Sequence, residues 1–253
     1  MRAELPHIAA DILMRLRARG PRVHCITNAV AQTFTANTLL AAGAVPSMTL
    51  SAGEIGAFVA RADALLVNLG TFDAERRAAA AAALQVAAER RIPWVLDPVF
   101  IDRSAARADY AKSLVAQKPN AVRLNGAEFA ALLGAEPEDA ALAAYARDTR
   151  AVMALTGTVD RITDGAQQTL IENGHPLMAR VTAMGCAASA LTAAFLAVES
   201  DAFKATASAL LCFGVAGGLA GERASGPGSF PAALLDALYA LDKHTLTEKA
   251  RVT

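Results

Sequence analysis

Apolar residues fall along this chain in two kinds of run. The short kind is nearly continuous and rich in β-branched or bulky side chains. Its members are RVHCI (22–26), ALLVNL (64–69), WVLD (94–97), AVRL (121–124) and VMALT (152–156). They lack a strict apolar–polar alternation, which is the pattern of a strand buried on both faces. Between them lie alanine-rich or amphipathic stretches at helical spacing, clearest at 74–90, 105–116 and 128–133. Strands alternating with helices predict βαβ units, and so a mostly parallel sheet with helices on both faces. After Asp160, RITDG and QQTLIENGH read as shorter, more exposed strands forming an antiparallel edge. From Gly185 onward the pattern is helical, over 185–199, 202–221 and 231–243. The first twenty residues (1–20) place apolar positions at helical spacing among charges, which predicts an amphipathic helix rather than a signal core. No repeat, linker or composition break interrupts the chain, so residues 1–253 read as one domain.

Composition narrows the function classes. With 54% hydrophobic and 19% charged residues, the chain can bury a large core and is not a disordered one. Net charge is zero and there is no Lys/Arg block, so neither nucleic acid nor an anionic membrane is the expected partner. The most membrane-like run, ATASALLCFGVAGGLAG (205–221), is short for a span and rich in small residues; it predicts a closely packed buried helix. Cys25, Cys186 and Cys212 are scattered, which suits free thiols in a reducing cytoplasm.

In open parallel sheets, ligands bind beyond the carboxyl ends of the strands. The polar residues there are Thr27, Asn28, Asn68, Asp97, Asn125 with Glu128, Thr156, and the Gly185-Cys186 turn. They offer carboxylates for a cation, amides and hydroxyls for orientation, and a helix N-terminus for an anion. There is no GxxxxGK[ST], no GxGxxG and no GxSxG, and the four histidines lack zinc-ligand spacing.

The motifs HCITN (24–28), FTAN (34–37), LLAAGAVPSM (39–48), VNLGT (67–71), VLDPV (95–99), NGAE (125–128), LTGTVDRITD (155–164), NGH (173–175), VTAMGC (181–186) and GPGSF (226–230) occur in this order. Together they resemble the hydroxyethylthiazole kinase family of thiamine salvage, over nearly the whole chain. The resemblance implies a ribokinase-like three-layer α/β sandwich. It also implies ATP- and Mg²⁺-dependent phosphorylation of the hydroxyl of 4-methyl-5-(2-hydroxyethyl)thiazole, by a cytoplasmic homotrimer with interfacial active sites.

That resemblance implies roles residue by residue. Cys186 stands where related kinases place an aspartate base. The field of the helix N-terminus predicts a lowered thiol pKa and an available thiolate. Read alone, a free cysteine is more often a small buried hydrophobe, and the surrounding motif reverses that. Asp97 and Glu128 are expected to act on Mg²⁺; as isolated residues they would cap or charge a helix start. Arg107 and Thr156 match ATP contacts, against the plainer readings of a solvated helix face and a strand-end turn. Asn28, Met48 and Ala183 fall on the substrate side, and Met184 and Gly185 in the anion-holding turn.

Two stretches depart from the family pattern. The small glycine-rich loop usual after DPV is replaced by Phe100-Ile101-Asp102-Arg103-Ser104, and the usual Thr-Gly-x-Gly-Cys by Thr182-Ala183-Met184-Gly185-Cys186. If position 183 requires φ > 0, alanine is strained there, and its methyl and the Met184 side chain would narrow the substrate pocket. These departures also fit a non-catalytic or altered-substrate paralogue that binds a small ligand in the same pocket. An ATP-dependent hydrate dehydratase of the same superfamily is disfavoured by HCITN and by the cysteine.

Overall fold

The structure, a computed structural model, describes residues 4–134, 136 and 138–253; residues 1–3 of the predicted first helix lie outside that range. The strands are β1 (Arg22–Ile26), β2 (Val45–Ser47), β3 (Ala64–Asn68), β4 (Trp94–Asp97), β5 (Ala121–Leu124), β6 (Val152–Leu155), β7 (Asp160–Thr163) and β8 (Gln168–Ile171). They form one sheet in the order β2-β1-β3-β4-β5-β6-β7-β8. Pairing is parallel from β2 to β6, and antiparallel from β6 through β7 to β8, as the shorter polar runs predict.

Side chains alternate across the sheet, and the helices sort accordingly. In β3, Ala64 and Leu66 join one core while Leu65 and Val67 join the other. The first core is completed by α1 (Leu5–Arg19), α2 (Gln32–Ala42), α8 (Met184–Leu196), α9 (Ala202–Arg223), α10 (Phe230–Ala240) and α11 (Lys243–Lys249). The second is completed by α3 (Ile55–Val59), α4 (Ala74–Arg90), α5 (Ala105–Val115), α6 (Gly126–Leu133) and α7 (Asp139–Thr149). The result is the expected three-layer α/β sandwich.

The apolar pattern anticipates the parallel strands to within a residue, but not β2, α2, α3 or α7. The helical stretch expected over 231–243 stops at Ala240, and a separate helix starts at Lys243. Leu241 turns extended (φ −62°, ψ 125°), and the Asp242 carboxylate accepts the Thr245 N–H at 2.8 Å to start α11. Helix α9 is long and apolar enough to cross a membrane, yet 78% of its most apolar window is buried inside the molecule. It is a core helix, and its glycines serve close packing. A Cβ at Gly214 would lie 2.8 Å from the Asn173 carbonyl, and one at Gly217 would lie 2.5 Å from Met178 Sδ.

Candidate active site

The same alternation builds the site. Val23 and Cys25, Ala64 and Leu66, Val95, Ala121, Val152 and Ala154, and Ile162 all face α8 and α9. Parity therefore puts Thr27, Asn68, Asp97, Arg123, Thr156 and Asp160 on that same side, at the carboxyl ends of the parallel strands. Asn68 pairs in register with Asp97, and Arg123 with Ala154; the register Val95↔Ala121, Leu96↔Val122 carries on to bring Arg123 beside Asp97. A row of polar side chains thus crosses the sheet beneath the start of α8.

Helix α8 supplies the other half. Ser189, one turn after Cys186, donates to Asp97 Oδ2 at 2.9 Å. Asn68 Nδ2 donates to the same oxygen at 2.7 Å, and its Oδ1 accepts from Asn28 Nδ2 at 3.0 Å and from the Gly70 N–H at 3.0 Å. Both amides also donate toward Cys186 Sγ, at 3.4 Å from Asn28 and 3.3 Å from Asn68. Asn28, Asn68, Asp97, Ser189 and Cys186 are therefore one connected network.

Asp97 is fully buried, and burial raises its pKa against the pull of Arg123, Ser189 and Asn68. Among the described residues its Oδ1 has no hydrogen-bond partner, and the Arg123 Nη1 lies 3.7 Å from it. A buried, orphaned carboxylate oxygen fits a cation ligand. Glu128 is placed differently. Its Oε2 accepts the Asn125 N–H at 2.9 Å, in a reciprocal capping box, and its Oε1 accepts the Phe100 N–H at 3.0 Å. Both oxygens already hold backbone, so a cation here would meet their remaining lone pairs or a bridging water. Burial and then the charge of Asp97 raise the pKa of Glu128. Among the described residues, no three His, Cys, Asp or Glu side chains gather as a metal cluster.

Cys186 is the third residue of α8, but its thiol pKa is not lowered. Burial, followed by the nearby charge of Asp97, pushes it up to about 11. Desolvation outweighs the helix-end field here, and the thiol is protonated at neutral pH. In the metal-free protein, alkylation of Cys186 is expected to quicken roughly tenfold per pH unit between pH 7 and 10. Full-rate modification at pH 7, read by intact mass, would contradict a thiol raised by burial. Cys25 and Cys212, buried in β1 and α9, are expected to stay unmodified, matching their reading as core residues.

Ala183 is the N-cap of α8, with φ 69° and ψ 1°, so position 183 does require the left-handed region. Ala183→Gly is expected to stabilise the protein by about 1 kcal/mol in urea unfolding, because strain relief exceeds the added freedom of the unfolded chain. A lower midpoint than the parent's counts against strain at that position. Met184, the first residue of α8, is buried and packs in the first core. Gly185 lies directly under Arg123: a Cβ there would be 2.8 Å from Cζ.

The remaining predicted residues divide. Thr156 stands at the end of β6, its hydroxyl donating to the Leu124 carbonyl at 3.3 Å. Met48 packs against the first core on the loop after β2. His24 pins both its neighbours, with Nδ1 2.8 Å from Ser47 Oγ and Nε2 3.1 Å from the Thr49 carbonyl. Nε2 must carry a proton to donate to the Thr49 carbonyl, and burial, which lowers the ring's pKa, favours the neutral ring with Nδ1 accepting from Ser47. Arg107 is on α5, in the opposite layer from α8. Its Nη1 reaches over the strand ends to the carbonyls of Leu69, Gly70 and Val99, bracing those loops. A second guanidinium, that of Arg123, lies beside Asp97, and the motifs did not single it out. Asp160 and Ser189 were missed as well. In the departing loop, Phe100 has φ 60°, is 47% exposed and carries the Arg103 guanidinium over its ring. A cleft of about 510 Å³ beside Lys118, Arg147 and Arg150 opens at the other end of the strands and contains none of these residues.

The three-layer α/β sandwich, with this polar row under a helix N-terminus at the carboxyl end of a mostly parallel sheet, is a ribokinase-like fold. The fold is shared with a ribokinase-like superfamily protein of Enterococcus faecalis (TM-score 0.67, 16% identity, 90% and 89% of the two chains). The sequence profile of the hydroxyethylthiazole kinase family matches residues 13–244, and the chain belongs to that family. It is 46% identical to a probable hydroxyethylthiazole kinase of Agrobacterium fabrum, over 96% of this chain and 94% of that one. It is 44% identical to a hydroxyethylthiazole kinase of Cereibacter sphaeroides, over 94% and 95%. The structure of a hydroxyethylthiazole kinase protein from Pyrococcus horikoshii superposes with a TM-score of 0.93 at 38% identity, covering 98% of each chain.

Proposed function

We propose that residues 1–253 form one catalytic domain that transfers the γ-phosphoryl group of ATP to the hydroxyl of 4-methyl-5-(2-hydroxyethyl)thiazole. The carrying observation is the Asn28–Asn68–Asp97–Ser189 network closing on Cys186 at the start of α8. Phosphoryl transfer needs positioning and charge stabilisation more than covalent chemistry, and the parts are of that kind. The free N–H groups at the start of α8 and the Arg123 guanidinium suit the phosphates, with Thr156 beside them. Arg107, whose guanidinium reaches the strand-end carbonyls of Leu69, Gly70 and Val99, remains the ATP contact that the family match implies, and Arg123 adds a second guanidinium. Mg²⁺ would be held by Asp97 Oδ1, with Glu128 acting through water, and would neutralise triphosphate charge. Asn28 and Met48 face the alcohol and Ala183 frames its approach, while Met184 and Gly185 belong to the anion-holding turn. Cys186 is the base, through the small thiolate fraction that its raised pKa leaves.

A coupled ADP-release assay tests this over a panel of small alcohols that includes the thiazole. Turnover above background ATP hydrolysis is expected, and its absence at saturating Mg-ATP defeats the kinase reading for that substrate. The strained Ala183 and Phe100 support a second reading, a ligand-binding relative without turnover. Thermal stabilisation by the thiazole and none by Mg-ATP would favour it.

The assembly proposed is a homotrimer in the cytoplasm, where free thiols persist. Strand β2 is an open edge, and Val30, Leu40, Val45 and Phe58 are exposed around it. Because Met48 comes directly after β2, a partner on this edge would help close the site. Leu40→Asp is expected to yield monomers in sedimentation velocity, with at least a tenfold loss of turnover; an intact trimer places the interface elsewhere.

A further inference from the structure

Arg123 poses a problem that the proposed chemistry does not solve. Its side chain is only 17% exposed, and it makes no hydrogen bond among the described residues; Nε is buried without a partner. A half-buried guanidinium beside a fully buried carboxylate ordinarily closes to a charge-assisted pair at 2.7–2.9 Å. Asp97 is its neighbour across the sheet, yet the gap stays at 3.7 Å. Two contacts limit Asp97, since Asn68 and Ser189 hold its other oxygen. Something must also hold Arg123 back.

On the far side stands Asp160, the first residue of β7. Parity with Ile162 turns it toward α8, and it sits where the antiparallel edge meets the carboxyl end of β6. Its Oδ1 accepts the Gly157 N–H at 3.0 Å, which folds the turn after Thr156. The charge of Arg123 bears on this carboxylate after its burial and the Gly157 hydrogen bond, and no ion pair closes between the two among the described residues. Burial pushes the carboxyl up to about 6, so it is largely ionised at neutral pH. Asp97 and Asp160 thus flank one cation from strands on either side of it.

We infer that Asp160 is a positioning residue for phosphoryl transfer: it opposes the pull of Asp97 on Arg123 and keeps that guanidinium's donors free at the start of α8. The inference rests on the kinase reading for its kinetic consequence, but not for its structural one. Asp160→Asn removes the charge and keeps the acceptor for Gly157, whereas Asp160→Ala removes both.

The first measurement needs no ligand. In the ligand-free protein, the Arg123 Nε–H resonance is tracked by nitrogen-15 NMR. Asp160→Asn should shift it and slow its exchange as the guanidinium closes on Asp97; an unmoved resonance overturns the inference even if the enzyme is fully active. The second is kinetic, with Asp160→Asn raising KM for Mg-ATP about tenfold, alcohol KM within about twofold, and melting within about 2 °C of the parent. In an Arg123→Gln background, Asp160→Asn should change Mg-ATP affinity by less than about twofold in calorimetry. A purely structural Asp160 predicts the opposite set: rescue by asparagine, or an equal effect in both backgrounds. A parent without turnover would defeat the kinase reading and leave the resonance to decide this one.

Discussion

Asp97→Asn is expected to lower kcat at least about a hundredfold while leaving the protein as stable at pH 7 as the parent, or more so. The two halves have one cause. Asp97 is the fully buried carboxylate of the polar row, with one oxygen held by Asn68 and Ser189 and the other unpartnered toward Arg123. That free oxygen is the natural ligand for a cation serving the triphosphate, and an amide is a far poorer one. For the folded state alone, the charge is a cost. Burial raises the folded pKa above the unfolded value of about 3.9, so the native state binds the proton more tightly. Stability is therefore lost as pH rises from the unfolded pKa through the folded one, and the neutral amide escapes that loss. Urea titrations at pH 4 and pH 7 should show the variant gaining on the parent at the higher pH. Parental turnover would remove Asp97 from the chemistry; a large loss of stability at pH 7 would make it a structural group.

The site's location was legible because strand-end polarity is a chain-local signal, whereas the facing of side chains is not. Asn28, Asp97, Thr156 and Cys186 could each be found by inspecting the polar residue at the end of an apolar run or at a helix start. Arg123 could not, since it lies one residue inside AVRL and reads as an interruption of that strand. Counting parity from Ala121 would have placed it beside Asp97. Arg107 was legible as a family match, but its contacts were not: its helix packs on the other face of the sheet, while its guanidinium reaches back over the strand ends to the carbonyls of Leu69, Gly70 and Val99. Strand β2 was hidden by its length and by Pro46, which an edge strand tolerates. The thiol of Cys186 was misjudged because a helix N-terminus is visible in sequence, while the desolvation that outweighs it belongs to the packed network. Ala183 went the other way. The family's glycine pointed to φ > 0, and the backbone has it.

Gly185→Ala tests the anion-holding turn from the opposite direction to Ala183→Gly. Position 185 is not in the left-handed region, so a methyl there meets no backbone strain, and alanine is the better helix former. What it meets is Arg123, 2.8 Å from Cζ, 2.9 Å from Nη2 and closer still to Nη1. A guanidinium is the far end of a flexible side chain, so it moves rather than the helix. The unfolding midpoint should therefore stay near the parent's. Displacing a charge-stabilising group by about 1 Å can cost on the order of a hundredfold in rate, and kcat/KM for Mg-ATP should fall by that much. The alcohol's affinity should change little, because Asn28 and Met48 lie on the β1–β2 side of the row, away from Arg123. Unchanged kcat/KM in a folded variant would show that the resting place of the guanidinium is immaterial. The proposed phosphate site would then reduce to the N–H groups at the start of α8.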